Sequence, residues 1–121
     1  MKKKILIVAA NYYVDISDGL LSNAKRVLQV PFDLISVPGV FEIPVTIAKN
    51  IKKYDVFIGM YHDQVLTPIK TIMGFKAINI TLGLPFIRVS PDHGVAADIV
   101  GKKVADPSSL IESIKLFNNI Q

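Results

Sequence analysis

The sequence predicts an α/β fold: a layered sandwich with a mostly parallel sheet of about four to five strands flanked by helices. Three observations lead there. Apolar runs at 4–10, 32–37, 55–61, 77–82 and 85–89 are mostly continuous rather than alternating, as in strands buried on both faces of a parallel sheet. Stretches of helical period separate most of them. Strands alternating with helices favour right-handed crossovers in a layered domain.

Each element has its own justification. Lys4–Ala10 opens with a charge and runs apolar to Asn11, a first buried strand. Ile16, Leu20, Ala24, Val27 and Leu28 then share one helical face, opposite Lys25 and Gln29. Phe32–Val37 is the second strand, and Pro44 suits the first turn of a second helix reaching about Lys53, because its missing N–H has no partner there. Asp55–Tyr61 is the third strand. A third helix is expected from about Val65 to Met73, with Pro68 close enough to its start to be tolerated. Ala77–Leu82 and Pro85–Val89 complete the strands. The last helix has Asp106 as N-cap, Pro107 at its first position, and Leu110, Ile114 and Phe117 recurring on one face.

A length of 121 residues fits a single α/β domain over 1–121 with a real core. No Gly/Ser/Pro spacer marks a linker, so all strands are expected in one sheet. Half the residues are hydrophobic and a fifth are charged, a globular balance. The net charge of +4 is scattered beyond Lys2, Lys3 and Lys4, so no nucleic-acid partner is expected. The absence of cysteine excludes disulfides and thiolate metal sites and fits a cytoplasmic location. The opening apolar run is too short for a signal peptide, and no run reaches the ~20 residues of a membrane span. No membrane association is expected.

In open α/β sheets ligands sit beyond the carboxyl ends of strands. Asn11-Tyr12-Tyr13 follows the first strand, and Pro38-Gly39-Val40-Phe41-Glu42 follows the second. Gly39 is able to take positive φ, two prolines stiffen the loop, and the next helix start exposes N–H groups to ligand oxygens. A Pro-Gly turn into a helix also needs no ligand to explain it. The whole string Val37–Pro44, with Ala10–Tyr13 ahead of it, is more specific. Over about residues 4–58 the chain resembles the N-terminal half of 6,7-dimethyl-8-ribityllumazine synthase. That resemblance implies stacking of a pyrimidinedione on Tyr12 and a ribityl chain lined by Val40, Phe41 and Glu42. It also implies a Gly-Cys turn, phosphate loop and catalytic His after the third strand, none of which Met60–Gln64 matches.

Both histidines of the chain, His62 and His93, fall later. His62 follows a strand directly, and Asp63 beside it could orient an imidazole, although neighbours on a strand point to opposite faces. Arg88 interrupts the apolar run 85–89, where a guanidinium needs an anion or other acceptors. Asp92-His93-Gly94 suits a plain turn. Together with Met60-Tyr61-His62-Asp63-Gln64 and Asn79–Pro85, these residues make 54–121 similar to the C-terminal part of 4-hydroxythreonine-4-phosphate dehydrogenase. The steps from His62 to Lys70, Asn79 and Arg88 keep that family's register.

The second resemblance implies a divalent-metal ligand at His62, contacts to a phosphorylated small-molecule substrate from Lys70, Asn79 and Arg88, NAD as cofactor, and a homo-oligomer whose metal site is shared between subunits. Two further metal histidines and most of the cofactor segment have no counterpart in the matched stretch. Val65 stands where that family has Gly. Family identity thus changes near 54–60 without a linker. The function expected is the substrate-binding half of such a dehydrogenase, in pyridoxine 5′-phosphate biosynthesis. The alternatives are a lumazine synthase-like transferase of riboflavin biosynthesis and a non-catalytic chimeric scaffold.

Overall fold

The computed structural model describes residues 3–120. In chain order the elements are β1 (Ile5–Ala10), α1 (Val14–Val27), β2 (Phe32–Val37), α2 (Glu42–Asn50), β3 (Val56–Ile58), α3 (His62–Met73), β4 (Ile78–Thr81), β5 (Arg88–Pro91) and α4 (Ser108–Ile120). Single 3-10 turns lie at Gly74–Lys76 and Ala97–Ile99. The chain divides into two compact units, one ending at Thr71 and the other starting at Ile72.

The first unit is a parallel three-stranded sheet in the order β2-β1-β3 with helices around it. Along its whole length β1 pairs with β2, from Ile5↔Phe32 to Ala10↔Val37. With β3 it pairs only from Ile5↔Val56 to Ile7↔Ile58. Leu6, Val8, Ala10 and Ile43 form the buried cluster, against which Ile35, Val37, Val40, Ile47, Tyr54 and Phe57 pack. Ile7 and Ala9, on the opposite face of β1, are buried as well. Burial on both faces explains the unbroken apolar run of β1, and each large side chain there contributes about 1.5–3 kcal/mol.

Beyond Ile7 the β3 side of the ladder is completed by a side chain. Gln64 is buried; its Nε2 donates to the Ala10 carbonyl at 2.8 Å, and its Oε1 accepts the Ala10 N–H at 3.1 Å. One primary amide thus stands in for a strand's peptide group and satisfies a buried donor and acceptor at once. Ser17 Oγ also donates to the Ala10 carbonyl, at 3.3 Å.

The second unit is an antiparallel pair, β4–β5, with Ile78↔Pro91 and Thr81↔Arg88 at its ends. Against it packs α4, tied down by hydroxyls. Ser109 Oγ donates to the Ala77 carbonyl and accepts the Asp92 N–H. Ser113 Oγ donates to the Ser109 carbonyl at 2.8 Å.

The α/β class and the parallel, helix-flanked sheet are as the sequence predicts, but the single sheet of four to five strands is not. Three strands form it, and β4 and β5 make a separate sheet. The short loop 82–87 makes these two an antiparallel pair, because a parallel crossover needs about a dozen residues or more. Gly83, at φ 86°, turns the chain, and Pro85–Ile87 lie in the loop, so β5 starts at Arg88 instead of Pro85.

Two helix faces are also rotated from expectation. In α1 the inward residues are Ser17, Leu21, Ala24 and the following Leu28, while Ile16, Leu20 and Val27 are exposed. In α4 the buried positions are Ser109 and Ser113, and Leu110, Ile114 and Phe117 face outward. Hydroxyl bonds to backbone groups choose the inward face in both helices. Finally, α3 starts at His62, so Pro68 is buried mid-helix and supplies no N–H to the Gln64 carbonyl.

Candidate functional site

At the carboxyl edge of the parallel sheet, Tyr12 and Tyr13 bridge β1 and α1 without a side-chain cap. Their rings meet edge-to-face at 5.1 Å, and both are exposed. Past β2 the loop separates its residues. Val40 packs on the core, whereas Phe41 is 85% exposed. Glu42 opens α2, where the helix start favours a carboxylate. The positive φ open to Gly39 is not adopted. What glycine provides there is room, since a Cβ would lie 3.1 Å from Glu42 Oε2. Tyr12, Phe41 and Glu42 therefore border one open edge, and Val40 supports it from within.

The same edge receives the start of α3. His62 Nδ1 and Asp63 Oδ1 lie 2.8 Å apart on side chains that are 78% and 69% exposed. The strand geometry that would have sent them to opposite faces does not apply, because the two residues begin a helix. Asp63 can therefore fix the imidazole tautomer with Nε2 outward. Among the described residues no group of three or more His, Cys, Asp or Glu side chains is placed to hold a metal ion. One imidazole and one carboxylate do not fit a divalent metal by themselves. Lys70, two turns on, is half-buried near the end of α3.

In the second unit the antiparallel register puts Asn79, Thr81, Arg88 and Ser90 on one face of the ribbon, as two directly opposed pairs. Ile78, Ile80, Val89 and Pro91 take the other face. Arg88 Nη1 donates to Thr81 Oγ1 at 2.9 Å. The acceptor that the arginine needs is thus a cross-strand hydroxyl, and its side chain stands at a strand start instead of interrupting a buried run. A guanidinium has five N–H donors, so the rest of the fork is available to an anion. Next to Arg88, the loop 82–87 and the end of α4 enclose an apolar cavity of about 490 Å³ that includes Leu84, Phe86, Leu116 and Ile120. His93 lies outside this group, in a turn where Nδ1 is 3.1 Å from the Gly94 carbonyl.

Two residues important to the site have positioning roles that the sequence does not announce, although Gln64 lies within the motif 60–64. Gln64 anchors α3 to β1 and so sets where His62 stands; the available signal was a polar residue one turn before Pro68 on the same helical face. Gly59 allows the tight entry into α3, because a Cβ there would meet Val65 Cγ2 at 2.8 Å and the Gln64 backbone at 3.3 Å.

A parallel sheet with ligand-type residues at its carboxyl edge and, in the other unit, a polar ribbon built around one arginine define an α/β protein equipped for small polar ligands. Comparison with known proteins gives the family. The profile of the pyridoxal phosphate biosynthetic protein PdxA family matches residues 45–117, and the chain belongs to that family. The profile of 6,7-dimethyl-8-ribityllumazine synthase matches residues 2–60, so the two overlap across the change of identity near 54–60. A 4-hydroxythreonine-4-phosphate dehydrogenase of Sulfurihydrogenibium sp. is 41% identical over 120 residues, covering 95% of this chain and 37% of the relative. One from Ruegeria sp. is 64% identical over 64 residues, covering 53% of this chain and 20% of its own length. The crystal structure of the Klebsiella pneumoniae 4-hydroxythreonine-4-phosphate dehydrogenase superposes with a TM-score of 0.55 at 26% identity, over 94% of this chain and 36% of that one. The chain thus spans little more than a third, or less, of the relatives it matches. The likeness to these dehydrogenases also reaches back through the first half. No helix among the described residues is long and apolar enough to cross a membrane.

Proposed function

We propose that this chain is the substrate-binding half of a 4-hydroxythreonine-4-phosphate dehydrogenase-like protein, acting in pyridoxine 5′-phosphate biosynthesis on a phosphorylated small-molecule substrate. The observation that carries the proposal is the polar face of β4–β5, where Arg88, steadied by Thr81, stands beside Asn79. A phosphate monoester offers oxygens to the guanidinium fork, and Asn79 adds an amide donor. Lys70 is a further cation for the substrate in the same proposal. The related enzymes' chemistry is NAD-dependent oxidation of a secondary alcohol beside a divalent metal. His62, oriented by Asp63, would give that metal one ligand, and the remaining ligands, which the described residues do not supply, would come from an intact homologue paired with it. Residues 1–121 act as a single α/β domain in this proposal, in a cytoplasmic protein.

Titration of the full chain with 4-hydroxythreonine 4-phosphate tests it. Saturable binding is expected, weakened tenfold or more, about 1.4 kcal/mol, by Arg88→Ala. No binding at millimolar ligand would sink the substrate assignment. Alcohol-dependent reduction of NAD with added divalent metal tests the chemistry separately, alone and mixed with an intact homologue.

A second reading has its own observation. Exposed Tyr12 and Phe41 with Glu42 border the carboxyl edge of the sheet, an arrangement able to stack on and hydrogen-bond a ribitylamino-pyrimidinedione. Equilibrium dialysis against that compound, with Tyr12→Ala as control, decides it. Failure of both ligands leaves a non-catalytic scaffold.

A further inference from the structure

The amino edge of the parallel sheet, opposite the edge that carries Tyr12, Phe41, Glu42 and His62, holds a groove of about 770 Å³. Its walls include Lys3, Lys4, Lys52 and Lys53, with Asp33 and Tyr54 between them. We propose that this groove binds a compact oligophosphate anion, a ligand with at least two phosphate groups.

Charge argues first. Among the described residues no ion pair engages any of the four ammonium groups. The two nearby carboxylates are occupied otherwise. Asp33 Oδ2 accepts the Tyr54 hydroxyl proton at 2.7 Å, and Asp55 Oδ2 accepts the backbone N–H of Lys4 at 2.8 Å. Four lysines against the one carboxylate of Asp33 leave the groove with a positive excess that an anion offsets. Complementing the negative end of α2 accounts for Lys52 and Lys53 at most, since Lys3 and Lys4 come from the start of β1.

Rigidity argues second. The Asn50 carbonyl accepts N–H bonds from Lys53 at 2.8 Å and Tyr54 at 3.3 Å, which closes the turn bearing Lys52 and Lys53. The Lys4 carbonyl accepts from Asp55 at 2.9 Å and Val56 at 3.2 Å. With the return bond from Lys4 to Asp55, the two lysine-bearing segments are locked to each other. The Asp33 bond also holds the Tyr54 hydroxyl above its ordinary pKa, so this group adds no negative charge near neutrality. Lysines are point charges without a preferred fork, which suits several phosphate oxygens spread over a groove more than one planar carboxylate.

The test is calorimetric titration of the full chain with pyrophosphate at low salt, with orthophosphate in parallel and Tyr54 ring resonances followed by NMR. Pyrophosphate should bind saturably and about tenfold more tightly than orthophosphate, shifting Tyr54. The double variant Lys52→Gln/Lys53→Gln, which alters only exposed side chains, should weaken it about tenfold or more. Lys3→Gln/Lys4→Gln should do likewise, and Lys115→Gln, on α4, should not. Lack of saturation at millimolar pyrophosphate would overturn the proposal. So would binding that ignores both lysine pairs, or binding lost through Arg88→Ala instead.

Discussion

The two units are held by different means. The first is organised around β1, where Leu6, Ile7, Val8, Ala9 and Ala10 are buried together with Ile43. In the second, Ala77 is the buried apolar residue among those described, and the other buried positions are Ser109 and Ser113. Apolar area stabilises the first; hydroxyls joined to backbone groups fix the second. The contrast teaches that an apolar stripe alone does not say which side of a helix faces in. In α1 and in α4 a serine with a buried carbonyl to bond took the inward place, and Ile16, Leu20, Leu110 and Ile114 stayed outside.

The comparison is most severely tested by Leu6→Ala. A cavity in the fully buried β1 should cost about 2–5 kcal/mol, whereas Leu110→Ala, at a half-exposed position of α4, should change stability by no more than about 0.5 kcal/mol. Chemical denaturation of the two variants measures this, and equal losses would erase the distinction. Hydrogen exchange on Leu6→Ala adds a second result: protection should fall in β4 as well as β1 if the chain is one cooperative domain. An unchanged β4 would break the single-domain proposal.

Next in size is Gln64→Leu. It keeps the volume but orphans the buried N–H of Ala10 and leaves the Ala10 carbonyl only its bond from Ser17, at about 1–3 kcal/mol. Amide exchange should rise at Ala10, and the His62 ring resonances should move because the start of α3 is no longer pinned. Unmoved His62 signals would mean that Gln64 does not set the position of that residue.

Ser109→Ala should cost about 1 kcal/mol, through the loss of bonds to Ala77 and Asp92, and should loosen exchange in β4–β5 more than in β1. A larger loss in β1 than in β4 would contradict the contrast drawn between the units.

The smallest effect is acid-dependent. Hydrogen bonds from the Ser108 side chain and from its backbone N–H, which Asp106 Oδ1 accepts at 2.8 Å, hold the Asp106 carboxyl below its ordinary pKa. A depressed folded-state pKa stabilises above the ordinary carboxylate range, and that contribution fades as pH falls through the folded value. Wild type should therefore lose an increment of α4 stability in acid that Asp106→Asn, able to cap at any pH, retains. Circular dichroism melts between neutral and acid pH would show parallel curves if the cap carried no charge-dependent contribution.

Much of this was legible in the residues. The unbroken apolar run of β1 announced a strand buried on both faces, and Asp106-Pro107 announced the start of α4, because propensity and capping act over a few neighbours. The segments at 11–13, 38–42 and 60–64 were readable as ligand edges, since strand ends in parallel sheets fall on one side. What was not legible depends on distant partners. Nothing local to Gln64 says that its amide replaces a strand, because the unpaired peptide belongs to Ala10, far back in the chain. Nothing local to Arg88 names Thr81 as its acceptor until the hairpin register is known.

The sequence by itself determined the α/β class, the order of the elements, the change of family identity near 54–60 and the residues capable of chemistry. Tertiary structure alone decided that β4 and β5 leave the parallel sheet, that serines turn inward on α1 and α4, and that Asn79 and Arg88 share a polar face. The reason is physical. Periodicity and capping are short-range properties carried by neighbouring side chains, whereas inward faces and strand partners are set by which buried backbone groups remain to be satisfied.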